Sequence, residues 1–114
     1  MIAVRILVVG PSAERDALAE LLRSYEYDVA VTPPGELAAM AGAWRPDIVI
    51  ADASVPDLDG RAVLEALATI SPRPRTILIS PRPSLALARY GVTCLAKPLD
   101  LPRLLREAAV VHAA

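Results

Sequence analysis

The chain has 114 residues, a formal net charge of −1, 54% hydrophobic residues and no Phe. That length suits one domain around a single core, and the near-neutral charge argues against a field that would hold phosphate backbones or an anionic membrane. One cysteine, Cys94, excludes an internal disulfide and any multi-cysteine metal site.

The first apolar run, Ile6 to Val9, predicts a buried strand that stops at Gly10 and Pro11. Arg5 interrupts the N-terminal apolar stretch, which is too short for a signal segment. Ala17, Leu18, Leu21, Leu22 and Tyr25 then recur at helical spacing. Ser12 is a candidate cap for that helix, with Glu14 and Asp16 placed in its electropositive first turn. Asp28 to Thr32 predicts an edge strand, and Leu37, Met40, Ala41 and Trp44 trace a second helix that Pro46 ends.

Ile48 to Ala51 predicts a third strand, which runs directly into Asp52. Val63, Leu64, Leu67 and Ala68 carry a helical period, and Ser71, Pro72 and Pro74 break the chain before a fourth strand, Thr76 to Ile79. Between Ser80 and Gly91 there is room only for a short helix of about two turns, built from Leu85, Leu87 and Tyr90. Val92 to Ala96 predicts the fifth strand. After Lys97 and Pro98, the residues Leu101, Leu104, Leu105 and Ala108 outline a last amphipathic helix.

Strands and helices alternate throughout, with no hairpin signal, repeat or linker. That pattern predicts an α/β domain over residues 1–114: a parallel sheet with right-handed crossovers and helices on both faces. No segment approaches the roughly 18 apolar residues of a membrane span, and a cytoplasmic location is expected. In such folds chemistry gathers outside the carboxyl ends of the strands. Those ends carry Gly10, Pro11, Asp52, Ser80 and Lys97. An acid at the mouth of a core strand costs desolvation energy unless it has a partner or a job, which singles out Asp52.

Other residues have plainer readings. Asp57 and Asp59, beside Gly60, suit turn and helix-capping duties. Cys94 reads as a small buried hydrophobe, Trp44 as packing, and His112 as a residue of a fraying terminus. Arg73, Arg75 and Arg82, among Pro72, Pro74, Pro81 and Pro83, read as solvated charges on stiff loops.

The stretch PDIVIADASVPDLDG, from Pro46 to Gly60, together with Ser80 and the Lys97-Pro98 pair, resembles the receiver domain of bacterial two-component response regulators. The resemblance extends over essentially the whole chain. It implies a flavodoxin-like doubly wound sheet of five parallel strands in the order 2-1-3-4-5. It also implies that Asp52 is the phosphoacceptor position, that Lys97 neutralises the phosphate and that Ser80 donates a hydrogen bond to it. The implied partner is a histidine kinase or another signalling protein, with homodimerisation as a further option and no direct nucleic-acid or membrane contact.

The family holds Mg²⁺ with an acidic pair after the first strand, the acceptor Asp and a backbone carbonyl, here that of Ser54. This chain has Gly10 and Pro11 where the acidic pair belongs. Mg²⁺ ordinarily needs one or two carboxylates besides its waters, so Asp52 with the Ser54 carbonyl is expected to bind it weakly or not at all. Losing about 4 kcal/mol of metal stabilisation slows phosphoryl transfer by about three decades. Cys94 stands in place of the family's switch aromatic, and the connection between strands four and five is about a turn short. The reading is an atypical receiver that acts through protein–protein interaction and is not an enzyme beyond phosphoacceptor chemistry. The alternatives are a conventional receiver phosphorylated on Asp52 and a small flavodoxin-like enzyme or flavin carrier.

Overall fold

Five short strands rich in Val, Ile, Leu and Ala are apolar on both sides, and only a sheet covered on both faces satisfies such runs. The computed structural model describes residues 3–53, 59–81 and 85–113 and shows that arrangement. Strands β1 (Arg5–Val9), β2 (Asp28–Thr32), β3 (Ile48–Asp52), β4 (Arg75–Ser80) and β5 (Val92–Ala96) form one parallel sheet in the order β2-β1-β3-β4-β5. Helices α1 (Ser12–Arg23), α2 (Leu37–Trp44) and α3 (Gly60–Leu67) make the first three crossovers, and α4 (Leu101–Ala113) follows β5. The strand order and the edge position of β2 agree with expectation.

Alternation along the strands divides the core into two layers. Ile6, Val8, Ile48, Ile50, Ile77 and Ile79 face α1 and α4, where they pack with Leu22, Leu104 and Ala108. Leu7, Val9, Val49, Ala51 and Leu78 face α2 and α3, where they pack with Leu37, Ala41, Val63 and Leu67. The register sets the strand ends level: Val9 lies beside Ala51, Asp52 beside Ile79, and Ser80 beside Ala96.

Local differences from the sequence reading have physical causes. Helix α1 begins at Ser12 and Pro11 takes the capping position, where its preset φ of −59° suits the approach to a helix. Ser12 is therefore the first helical residue and not the cap. The connection between β4 and β5 holds a 3-10 helix, Leu85–Tyr90, because a six-residue segment gains little from α geometry. It ends at Gly91, whose φ of +78° is a left-handed conformation that glycine adopts without a Cβ clash. A second 3-10 turn, Pro34–Glu36, precedes α2.

Arg75 is not a solvated loop charge. It opens β4, and its Nη2 donates to Thr93 Oγ1 at 2.9 Å and to Glu107 Oε2 at 2.7 Å, tying β4 to β5 and α4. Trp44 ends α2, and its carbonyl accepts from Arg5 Nη1 at 2.8 Å while the guanidinium lies over the ring. Asp59 caps α3 as expected, its Oδ1 accepting from the Ala62 N–H at 2.8 Å. Cys94 is half-buried on β5.

Candidate functional site

The site lies along the carboxyl edge of the sheet. There β3 ends on Asp52, β4 ends on Ser80 and Lys97 follows β5. The Lys97 Nζ donates to Asp52 Oδ2 at 3.0 Å, and the two side chains retain only 30% and 14% exposure. Ser80 is joined to this pair through the main chain, its carbonyl accepting from the Lys97 N–H at 3.1 Å. A further bond, from the Ala53 N–H to the Ile79 carbonyl at 2.8 Å, ties the loop after Asp52 to β4. The structure thus brings Asp52 and Lys97 into direct contact and sets Ser80 on the adjoining strand end. Ser54 and Asp57 lie outside the described residues.

The sequence reading missed Glu14. It was assigned only to the dipole of α1, yet its Oε2 lies 3.7 Å from Lys97 Nζ. A helix that leaves the carboxyl end of a strand keeps its first turn at the mouth of the site, and that topology was the available signal. The hydrogen bond to Asp52 is the main reason the Lys97 ammonium is held above the ordinary lysine range. The charges of Asp52 and Glu14 add to it, and partial desolvation works the other way.

At the end of β1, Gly10 and Pro11 bring no side-chain donor. A Cβ at Gly10 would stand 3.0 Å from Asp52 Cβ, so this position sits directly against the acid. Among the described residues no group of three or more His, Cys, Asp or Glu side chains could hold a metal ion. Among the described residues this donor set lacks the acidic pair with which the family holds Mg²⁺.

The parallel sheet in the order 2-1-3-4-5 is the topology that the sequence resemblance implied, and Asp52 and Lys97 meet at its carboxyl edge. A family model, the response regulator receiver domain, matches residues 7–109. The chain belongs to this family. Receiver domains serve two-component signalling and interact with histidine kinases and other signalling proteins.

Solved receiver structures share the fold. The signal receiver domain of a putative Luxo repressor protein from Vibrio parahaemolyticus superposes with a TM-score of 0.81 at 21% identity, over 96% of this chain and 90% of that one. A response regulator receiver domain from Bermanella marisrubri gives 0.78 at 25% identity, over 96% and 98%. The pseudo-receiver domain of the CikA protein gives 0.72 at 20% identity, over 96% and 97%. No curated protein matches the chain. None of these findings favours the enzyme or flavin-carrier alternative. Among the described residues no helix is long and apolar enough to cross a membrane.

Proposed function

We propose that this receiver is an atypical one that signals chiefly by binding partner proteins, with Asp52 at the phosphoacceptor position phosphorylated slowly or not at all. The observation that carries the reading is the Lys97–Asp52 contact at 3.0 Å next to a first strand that ends on Gly10 and Pro11. In a productive receiver the acceptor carboxylate attacks a phosphohistidine phosphorus, and the added charge of about −1.5 to −2 requires compensation. Here Lys97 is the cation in place, and it is already engaged by two carboxylates.

In this reading Lys97 holds the pocket in one state and Ser80 serves as a strand-end hydrogen-bonding group beside it. The partner is a histidine kinase or another signalling protein in the cytoplasm, the domain has no catalytic turnover of its own, and self-association is the remaining interaction option.

A second reading is conventional phosphorylation of Asp52, favoured by the retention of Asp52, Ser80 and Lys97 at neighbouring strand ends. The test is intact-mass measurement of the full chain treated with acetyl phosphate across a Mg²⁺ titration. The atypical reading expects little or no phosphoryl gain at any Mg²⁺ concentration. A stoichiometric gain of one phosphoryl group, lost in Asp52→Asn, establishes the conventional reading instead.

A further inference from the structure

Beside the Asp52–Lys97 pair a slot of 270 Å³ opens between α1 and the segment leading into α4. Val8, Ile50 and Ile79 of the three central strands line it, with Leu18 of α1 and Leu99 on the helix side. Deeper in the same layer Leu22, Leu104 and Ala108 are fully buried, whereas Leu18 and Leu99 are only partly buried. The layer is therefore closed at its base and open at the carboxyl edge, where Glu14, Asp52 and Lys97 stand.

Size and charge narrow the occupant. An apolar cavity of about 150 Å³ takes up benzene, so this slot has room for a one- or two-ring molecule. Apolar walls with a few polar groups at one end are the usual make-up of a small-ligand site. Among the described residues the rim carries two carboxylates and one ammonium, and Lys97 lies within 3.0 Å of Asp52 and 3.7 Å of Glu14. An anionic head group would have to draw Lys97 away from both acids and then sit beside them. A cationic head group instead leaves Lys97 in place and pairs with the Glu14 carboxylate, which is 65% exposed at the rim.

We propose that the slot is a ligand site for a compact apolar molecule bearing a protonated amine, with its hydrocarbon part against Val8, Leu18, Ile50 and Ile79 and its ammonium on the solvent-facing side of the Glu14 carboxylate, leaving Lys97 on Asp52. Such a ligand sits beside Asp52 and Lys97, which line the same slot. The proposal stands whether or not Asp52 is phosphorylated.

The test is a methyl-detected NMR titration of the full chain with phenethylamine, 2-phenylethanol and 3-phenylpropionate, each up to about 10 mM, the affinity range reached by ligands this small. The expected result is saturable shifts at the Leu18, Ile50, Ile79 and Leu99 methyls, strongest for the amine and weakest for the carboxylate. Glu14→Gln, at an exposed position, weakens the amine about two- to fivefold and leaves the alcohol unchanged, the range expected for a partly solvated ion pair. Leu18→Trp fills the slot and removes the shifts for all three probes, with the melting curve reporting that the variant is folded. Three results overturn the proposal: no saturable shift with any probe, the carboxylate binding as tightly as the amine, or Glu14→Gln weakening amine and alcohol alike. The Glu14 comparison decides the matter even if Leu18→Trp does not fold.

Discussion

The Nζ of Lys97 and the Oδ2 of Asp52 lie 3.0 Å apart although the two residues are separated by 45 positions in the chain. Lys97 is the only lysine in the protein. Its side chain is drawn to the mouth of β3 because β4 lies between β3 and β5 and all three run in parallel. The pair thus records the closure of half the sheet as well as the charge state of the site.

That pair makes stability depend on alkaline pH. The folded state holds the Lys97 ammonium above its ordinary value, so the folded state keeps a proton that the unfolded chain gives up first. The stabilisation is complete below the ordinary lysine value of about 10.4 and is lost as pH rises through the raised folded value. Urea unfolding should therefore show a decline above about pH 10.4 that is steeper in the native chain than in Lys97→Met, with tyrosine ionisation common to both. Near neutral pH, Lys97→Met should cost about 1 to 3 kcal/mol, since it leaves a largely buried carboxylate without its charged donor. Equal alkaline slopes in the two proteins would show that the pair carries no such energy.

Two glycines should respond to alanine with opposite signs. At Gly10 a methyl group would meet Asp52 Cβ at 3.0 Å, and a Cβ fixed to a central strand cannot swing aside. Gly10→Ala should lose about 1 kcal/mol or more and move Asp52 away from Lys97. The single lysine gives the readout: after reductive methylation with labelled formaldehyde, its NMR titration should shift back toward the ordinary value. Gly42 lies within α2 and has nothing within 4 Å of its would-be Cβ. Gly42→Ala should gain about 0.5 to 1 kcal/mol from reduced chain entropy.

The half-buried ion pair between Arg75 and Glu107 should matter more than the exposed one on α3. The first spans 2.7 Å with both side chains 27–28% exposed, and its guanidinium also serves Thr93. The Arg61–Glu65 pair spans 3.9 Å with 87% and 75% exposure. A double-mutant cycle through Arg75→Met and Glu107→Gln should return a coupling of about 1 kcal/mol, set by a charge-assisted hydrogen bond in partial burial. The same cycle at Arg61 and Glu65 should return a coupling near the limit of measurement.

The strands were legible because their code is short and local. Asp28 to Thr32 and Val92 to Ala96, the two edge strands, were located to the residue, since each is a short run rich in β-branched residues between turn signals. The three residues at the edge of the site were legible for the same reason: a run that stops on Asp52, on Ser80 or before Lys97 marks a strand end. Glu14 was not. Its role depends on how α1 is rotated against the sheet, which Ala19 and Leu22 set by their burial and which no window around Glu14 encodes. Arg75 was misread because neighbouring prolines argued for a loop, whereas its partners Thr93 and Glu107 come from elements far along the chain.

The contribution of α4 to the site's support can be isolated at Leu104. This side chain is 0% exposed and packs in the layer formed by Ile6, Ile48, Ile77 and Leu95, directly behind the slot beside Asp52. Truncation removes buried methyl groups and leaves a void that a close-packed sheet face fills only in part, so Leu104→Ala should cost about 2 to 5 kcal/mol. For a domain of this size that is a large share of a total of about 5 to 15 kcal/mol. Leu21 of α1 is 38% exposed and provides the control. Leu21→Ala should change stability by about 0.5 kcal/mol or less. Equilibrium urea unfolding with unchanged m-values is the measurement. Equal losses for the two variants would mean that α4 is only loosely seated on β4 and β5, and the helix-side wall of the slot with it.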